Sequence, residues 1–176
     1  PSTALPERFN AEVECDLMLY KSKHFVFHIA DRYIRYDEGA EIPDRLMDTV
    51  IDAYCYTWLR HGPAKILYSD GEGALNNDKA KAILKHKGTE LRIRARDQHA
   101  TTIEARNGIL RHLLHVMEED LKRYDIPLVF TRLLHEAIFA SNAFTFYNGV
   151  SPYNALYGRQ PAMLPDLPVL EHEQET

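Results

Sequence analysis

The chain has 176 residues, of which 45% are hydrophobic and 27% are charged, the composition of one ordinary globular domain. Acidic residues outnumber Lys and Arg by 26 to 21, and the net charge of −5 argues against a small basic DNA-binding module. No apolar run has the length of a membrane span, and no secretory leader is recognisable. Because the chain begins with Pro1 rather than Met, we expect an excerpt of a longer protein.

Cysteine and histidine usage gives little sign of a disulfide framework or a zinc site. Cys15 and Cys55 form no CxxC motif, so a reducing, intracellular compartment is expected. His112 and His115 are separated by three positions in a predicted helix, with no cysteine near them in sequence. Two exposed helix histidines are therefore favoured over a zinc site.

The N-terminal part of the chain has the pattern of three strands. Residues 1–10 carry two prolines and no periodicity, and we expect a tail. Residues 11–19 alternate with period two, and residues 24–30 are aromatic and β-branched. A third strand is predicted at 33–36, so the three strands form an antiparallel meander.

The remaining pattern alternates helices with short strands. Apolar residues at steps of three and four predict a first helix over 44–60, which the His61-Gly62-Pro63 sequence ends. The later elements are a strand at 64–69, helices at 78–86, 101–124 and 128–147, and a strand at 89–94. Gly108 inside the long helix indicates a packing or contact reason, because glycine disfavours helix. We predict no regular element over 150–168.

The order β-β-β-α-β-α-β-α-α predicts an α/β fold of the ribonuclease H-like class. Its mixed five-stranded sheet would have three antiparallel and two parallel strands, with helices on both faces. If the first and fourth strands are neighbours, Asp16 and Asp70 meet, and Glu104 can approach from the long helix. Three clustered carboxylates suit Mg²⁺ or Mn²⁺, and two such ions can clamp an in-line phosphoryl transfer.

Each of these acids also has an explanation without chemistry. Asp70 followed by Gly71 is compatible with a plain turn. Thr101 and Glu104 match a helix capping box, which would account for both residues. Asp16 could face solvent on a half-exposed sheet. Spacing alone leaves these alternatives open.

Five segments carry a resemblance to the catalytic core of retroviral-type integrases, including those of LTR retrotransposons. They are ECDL (14–17), IADRY (29–33), ILYSDG (66–71), TIEARN (102–107) and SPYNALYGRQP (151–161). The last segment is the most specific, since a similar sequence is common after the core in retrotransposon integrases. The resemblance covers residues 11–161, the expected catalytic core, and leaves 162–176 as a C-terminal tail or linker.

The resemblance implies a D,D,E recombinase that carries out 3′-end processing and DNA strand transfer. Asp16, Asp70 and Glu104 would be the catalytic and metal-binding triad, with Asp16 bridging two Mg²⁺ or Mn²⁺ ions in the substrate-bound state. By the same resemblance, residues that would contact element or target DNA are Gln98, His99, Asn107 and Arg111.

Some features depart from the family pattern. The spacing from Asp70 to Glu104 is shorter than usual, and Gly71 stands where the family commonly has Asn. Glu12, Glu14 and Glu72 add negative charge near the expected site, which disfavours an approaching phosphate backbone unless it is compensated. The absence of the family's zinc-binding and basic flanking domains fits an excised core.

The resemblance also implies a nuclear integration step and a homodimer through the helices at 44–60 and 128–147. Apolar positions on these helices include Tyr54, Trp58, Phe139 and Phe144, although core packing is favoured for most of them. Two alternatives remain. One is a catalytically silent assembly domain, and the other is a nuclease of the same fold.

Overall fold

The computed structural model describes residues 6–71, 73–94 and 101–164. Its elements are β1 (Glu12–Tyr20), β2 (His24–Asp31), β3 (Asp37–Ile42), α1 (Met47–Thr57), β4 (Ile66–Ser69), α2 (Asp78–His86), β5 (Glu90–Ile93), α3 (Thr101–Arg123), α4 (Phe130–Phe144) and α5 (Pro152–Tyr157). A 3₁₀ turn at Leu59–His61 follows α1. Within the described ranges, no helix combines the length and apolar character that crossing a membrane requires.

The five strands form one mixed sheet in the order β3-β2-β1-β4-β5. β1 and β2 are antiparallel, as are β2 and β3, whereas β4 runs parallel to both β1 and β5. The predicted ribonuclease H-like sheet is therefore confirmed, and β1 lies at its centre beside β4.

Helices cover both faces of the sheet, which creates two apolar cores. One core lies between the sheet and α1 and α2, and it takes Val13 and Cys15 from β1. The other lies against α3 and α4, and it takes Met18 and Tyr20 from the same strand. Because successive side chains of a strand point to opposite faces, β1 supplies both cores.

The third strand begins later than the sequence pattern predicts. Residues 33–36 do not form it; the strand is β3, which starts at Asp37. The carboxylate of Asp31 accepts hydrogen bonds from the backbone N–H groups of Tyr33, at 2.8 Å, and Ile34, at 2.7 Å. Arg35 then adopts a left-handed φ of 62°. This side-chain-stabilised turn outweighs the β propensity of the aromatic residues.

Gly39 lets β3 pack closely against its neighbours. A Cβ atom at this position would lie 2.9 Å from the carbonyl oxygen of Phe27 and 3.1 Å from Cδ1 of Ile138 on α4. Only glycine avoids these contacts without a shift of the backbone or of α4. The composition of β3, DEGAEI, carries little strand propensity, so tertiary packing decides its position.

The structure contains a short helix, α5, where no element is predicted. Ser151 caps it by accepting a hydrogen bond from the N–H of Asn154 at 3.1 Å, and Pro152 occupies the first turn. Gly158 ends it with a left-handed φ of 68°. These are ordinary start and stop signals, and the high proline content of the segment obscures them.

The segment before β1 is packed on the core at its last residues. The ring of Phe9 lies 5.8 Å from that of Trp58, and Asn10 Oδ1 accepts a hydrogen bond from the Trp58 indole at 2.8 Å. Asn10 Nδ2 also donates to the carbonyl oxygen of His61 at 3.2 Å. This end of the predicted tail at 1–10 therefore holds the end of α1 beside the sheet.

Candidate active site

Asp16 lies in the middle of β1, on the face of the sheet that α3 covers. Its Oδ2 atom accepts a hydrogen bond from Nδ2 of Asn107 at 2.7 Å, and its Oδ1 atom accepts one from the N–H of Leu17 at 2.8 Å. Both carboxylate oxygens are thus oriented by donors. A carboxylate has about four acceptor positions, so each oxygen keeps capacity for a further ligand.

Asp70 directly follows β4, at the carboxyl end of the strand. The parallel register pairs Glu14 with Tyr68, and if it continued for two more residues Asp70 would lie opposite Asp16. This is the strand adjacency from which the sequence predicts that the two acids meet. The backbone of Gly73 lies under the Asp70 side chain, since a Cβ atom there would lie 2.5 Å from Asp70 Oδ1.

Glu104 lies in the first turn of α3 and is exposed. The neighbouring N–H of Ile103 donates to Oε2 of Glu14 on β1 at 2.9 Å, which ties the start of α3 to the centre of the sheet. The Thr101 side chain, on which the capping-box alternative depends, lies outside the described residues. The structure therefore leaves that alternative open.

The donor set fits a divalent cation in its chemistry. Asp16 lies on β1 and Asp70 directly follows the adjacent strand β4, and hard oxygen ligands suit Mg²⁺ and Mn²⁺. However, no group of three His, Cys, Asp or Glu residues within 6–71, 73–94 and 101–164 is arranged to hold a metal ion. The metal-binding role of Asp16, Asp70 and Glu104 therefore stays a prediction.

Cys15, next to Asp16 in sequence, is not available as a nucleophile or thiolate ligand. Burial raises the pKa of its thiol to about 12, against a hydrogen bond with Ser69 that lowers it. The carboxylates of Asp16 and Asp70 raise this pKa further. The thiol is therefore protonated at neutral pH and packs as a small apolar group.

The extra acids near the site are neutralised by arginines. Glu14 is 1% exposed, and it forms ion pairs with Arg32 and Arg94. Glu12 pairs with Arg32 as well. The two guanidinium groups lie 5.6 Å and 4.8 Å from the ring centre of Tyr68, which they flank. The local excess of negative charge expected from Glu12 and Glu14 is thus compensated within the fold, while Glu72 lies outside the described residues.

The residues predicted to contact DNA have different surroundings. Asn107 is buried, and its amide is hydrogen-bonded to Asp16 and His28. Arg111 lies one turn further along α3 and is exposed. Gln98 and His99 lie outside the described residues. The DNA contacts of all four residues stay predictions.

A buried polar cluster behind Asp16 is absent from the sequence-based prediction. His28, Asp37 and Arg106 are each 0% exposed and are joined by hydrogen bonds. The possible signal was a histidine in the predicted strand at 24–30, an aspartate just after the predicted strand at 33–36 and an arginine in the predicted helix at 101–124. Nothing in their spacing shows that they meet, because they come from β2, β3 and α3.

Comparison with solved structures identifies the architecture. The chain superposes on the HTLV-2 integrase catalytic core domain in complex with magnesium, dimeric form, with a TM-score of 0.70 over 82% of this chain and 94% of that one. The catalytic core domain of BIV integrase gives 0.70 over 83% and 93%. The fold is that of retroviral integrase catalytic cores.

Sequence identity to these integrase cores is low, at 15% and 14%. A simian T-cell lymphotropic virus intasome, in complex with the PP2A regulatory subunit B56 gamma, gives a TM-score of 0.74 at 14% identity, over 96% of this chain and 64% of that one. No family model and no curated protein matches the sequence. The integrase-core likeness therefore rests on the three-dimensional arrangement.

Proposed function

We propose that this chain is the catalytic core of a retroelement integrase, a polynucleotidyl transferase that processes the 3′ ends of element DNA and joins them to target DNA. The observation that supports the proposal is the parallel pairing of β1, which carries Asp16, with β4, which Asp70 follows, within an integrase-core fold. The proposed core spans 11–161, and the joining step would take place on nuclear DNA.

Asp16 and Asp70 would hold a divalent cation, and Glu104 would be the third ligand. When bound, Mg²⁺ or Mn²⁺ would supply the Lewis-acid chemistry of an in-line phosphoryl transfer. The solved HTLV-2 core is in complex with magnesium, which supports this choice of metal. Within the chain, Asn107 orients the Asp16 carboxylate, and Gly73 leaves space for that of Asp70.

Arg111 and the segment before α3, with Gln98 and His99, are the proposed DNA contacts. Arg111 is exposed on the same helix as Glu104, two turns further along, so it could reach a phosphate beside the active site. The intasome relative supports a role in a DNA-joining assembly.

The decisive experiment is a disintegration assay with a branched DNA substrate and Mn²⁺. We expect metal-dependent joining by the wild type and its loss in the Asp16→Asn, Asp70→Asn and Glu104→Gln variants. The matched controls are Asp120→Asn and Glu119→Gln, which remove exposed charges near the far end of α3. Joining that survives Asp70→Asn would overturn the proposed triad. Loss of joining in the controls would show that the reaction depends on the overall negative charge of the domain and not on these three acids.

A folded wild type that joins no DNA with either Mn²⁺ or Mg²⁺ would favour the assembly-domain alternative. Cleavage of branched DNA or of an RNA–DNA hybrid, without joining, would favour a nuclease of the same fold. Joined and cleaved products of the branched DNA differ in length and are read in the same assay, whereas cleavage of an RNA–DNA hybrid is read in a parallel reaction.

We also propose that the core forms a homodimer through α1 and α4. Tyr54 and Trp58 are part of the apolar core, but Tyr56 on α1 and Phe144 on α4 are exposed. The HTLV-2 core is known in a dimeric form, which supports this pairing. In sedimentation analysis, Tyr56→Glu should give a monomer, whereas Tyr124→Glu, at an exposed position beyond α3, should not. A dimer that persists in Tyr56→Glu would contradict the interface.

A further inference from the structure

A continuous chain of buried side chains extends from Asp16 into the protein. Asn107 Nδ2 lies 2.7 Å from Asp16 Oδ2, and Asn107 Oδ1 lies 2.6 Å from Nδ1 of His28. His28 is 0% exposed and Asn107 is 3% exposed. Asn107 therefore has two partners within hydrogen-bonding distance and almost no exposed surface at which bulk water could replace them.

The chemistry of the partners sets the direction of both hydrogen bonds. An ionised carboxylate only accepts, so the amide nitrogen of Asn107 must face Asp16. The amide oxygen then faces His28 and also only accepts, so the proton of that bond is on His28 Nδ1. Reversing the amide would set its oxygen against the Asp16 carboxylate and leave two acceptors in contact.

The far side of the imidazole is anchored independently. His28 Nε2 lies 2.8 Å from Oδ2 of Asp37, and Arg106 Nη2 donates to the other oxygen of this carboxylate at 2.8 Å. Ser141 donates to Asp37 as well, at 3.3 Å. These contacts come from β3, α3 and α4, so the plane of the imidazole is fixed by residues other than the proposed metal ligands.

We propose that His28 is a positioning residue of the active site, which holds the Asn107 amide in the orientation that donates to Asp16. This inference rests on the site of the proposed function. The role is distinct from that of a buried structural histidine, because it acts through Nδ1 towards Asn107 and not through Nε2 towards Asp37.

Two substitutions separate these roles, since each keeps one side of the ring. In His28→Asn, the amide nitrogen takes the place of Nδ1 and can still donate to Asn107, while the contact with Asp37 is lost. In His28→Gln, the amide nitrogen takes the place of Nε2 and can still donate to Asp37, while the contact with Asn107 is lost. The two variants are therefore matched controls for each other.

The first readout needs neither metal nor DNA. In NMR spectra of the wild type, the two Asn107 side-chain amide protons should be resolved and protected from exchange, and the His28 Nδ1 should carry a proton. The protection of Asn107 should persist in His28→Asn and be lost in His28→Gln. Unprotected Asn107 protons in the wild type, or an unprotonated Nδ1, would overturn the proposal even if both variants failed to fold.

The second readout is the affinity for Mn²⁺ alone, measured by paramagnetic broadening of signals around Asp16. His28→Gln should weaken this affinity by at most about 10- to 100-fold, the loss expected when Asn107, the direct partner of the Asp16 ligand, is no longer held in place. His28→Asn should stay close to the wild type. Equal affinities in the two variants, or a larger loss in His28→Asn, would overturn the positioning role.

The same proteins distinguish this proposal from the proposed function. Suppose that the wild type has protected Asn107 amide protons and that His28→Gln binds Mn²⁺ more weakly than His28→Asn, but that the wild type joins no DNA. This result would contradict the proposed integrase activity and support the positioning role. A His28→Gln variant that folds, binds Mn²⁺ and joins DNA like the wild type would keep the activity and remove the role of His28.

Discussion

Asp37 and Arg106 form an ion pair in which neither side chain is exposed to solvent, with Arg106 Nη2 2.8 Å from Asp37 Oδ1. The pair joins the first residue of β3 to the first half of α3 across 69 positions. It also supports the imidazole of His28, so the stability of the fold and the order of the candidate site depend on the same contact.

Removing one partner of this pair should strongly destabilise the domain. In Arg106→Leu, the Asp37 carboxylate stays buried without its cation, and breaking such a pair costs about 3–5 kcal/mol. The free energy of unfolding in urea measures the loss. Arg123→Leu, which removes an exposed partner of Asp120 from the same helix, should change little. Similar losses of unfolding free energy in both variants would show that burial does not make the Asp37–Arg106 pair more important than an exposed pair.

Stability should also fall in acid because of Asp37. Burial by itself raises the pKa of this carboxyl, but Arg106 and the hydrogen bond from His28 outweigh it, and the pKa lies below the ordinary value of 3.8. A carboxyl with a lowered folded-state pKa stabilises the protein above its unfolded-state pKa. That contribution is lost as the pH falls from about 3.8 towards the folded-state value.

Urea unfolding at neutral pH and near pH 3 tests this dependence. The wild type should lose more stability between the two conditions than Asp37→Asn, which has no carboxyl to protonate. A titration of the Asp37 carboxyl carbon by NMR in the wild type gives the same answer without a variant. A midpoint above 3.8 would be inconsistent with the geometry.

Gly73→Ala should disturb the metal site without unfolding the protein. The added Cβ would meet Asp70 Oδ1 at 2.5 Å and Ser69 Oγ at 3.4 Å, so the Asp70 carboxylate would have to rotate away. We expect weaker Mn²⁺ binding and slower DNA joining, with a nearly unchanged unfolding midpoint. Gly108→Ala, another alanine in place of glycine, serves as the control and should bind Mn²⁺ normally.

Gly108→Ala should itself stabilise the domain by about 1 kcal/mol, because glycine disfavours a helix interior. Gly108 is exposed within α3, and a Cβ there would meet nothing within 4 Å. The packing reason expected from the sequence is therefore absent among the described residues. Thermal unfolding measures the gain. A gain in stability together with lost DNA joining would indicate that Gly108 is needed for contact with substrate.

Much of the fold could be predicted from the sequence because the spacing of apolar residues along a strand or helix depends only on residues close together in the chain. The alternation in β1 and the helical spacing of α1 and α3 reflect which side of each element faces a core. The prediction of β3 at 33–36 was wrong because Asp31 uses its carboxylate to form a turn there. The short helix α5 was missed although its capping residues are present in the sequence.

The sequence by itself determined the order of the elements from β1 to α4, the mixed sheet and the candidate acids, since order and periodicity follow from neighbouring residues. Only the tertiary structure decided which distant residues meet. The parallel pairing put β4, which Asp70 follows, beside β1, which carries Asp16, and the packing of α3 on β1 and β2 brought Asn107 between Asp16 and His28. Such contacts depend on register and on helix placement. A one-residue slip of a strand would turn its side chains to the other face, and no local pattern records the partner across the sheet.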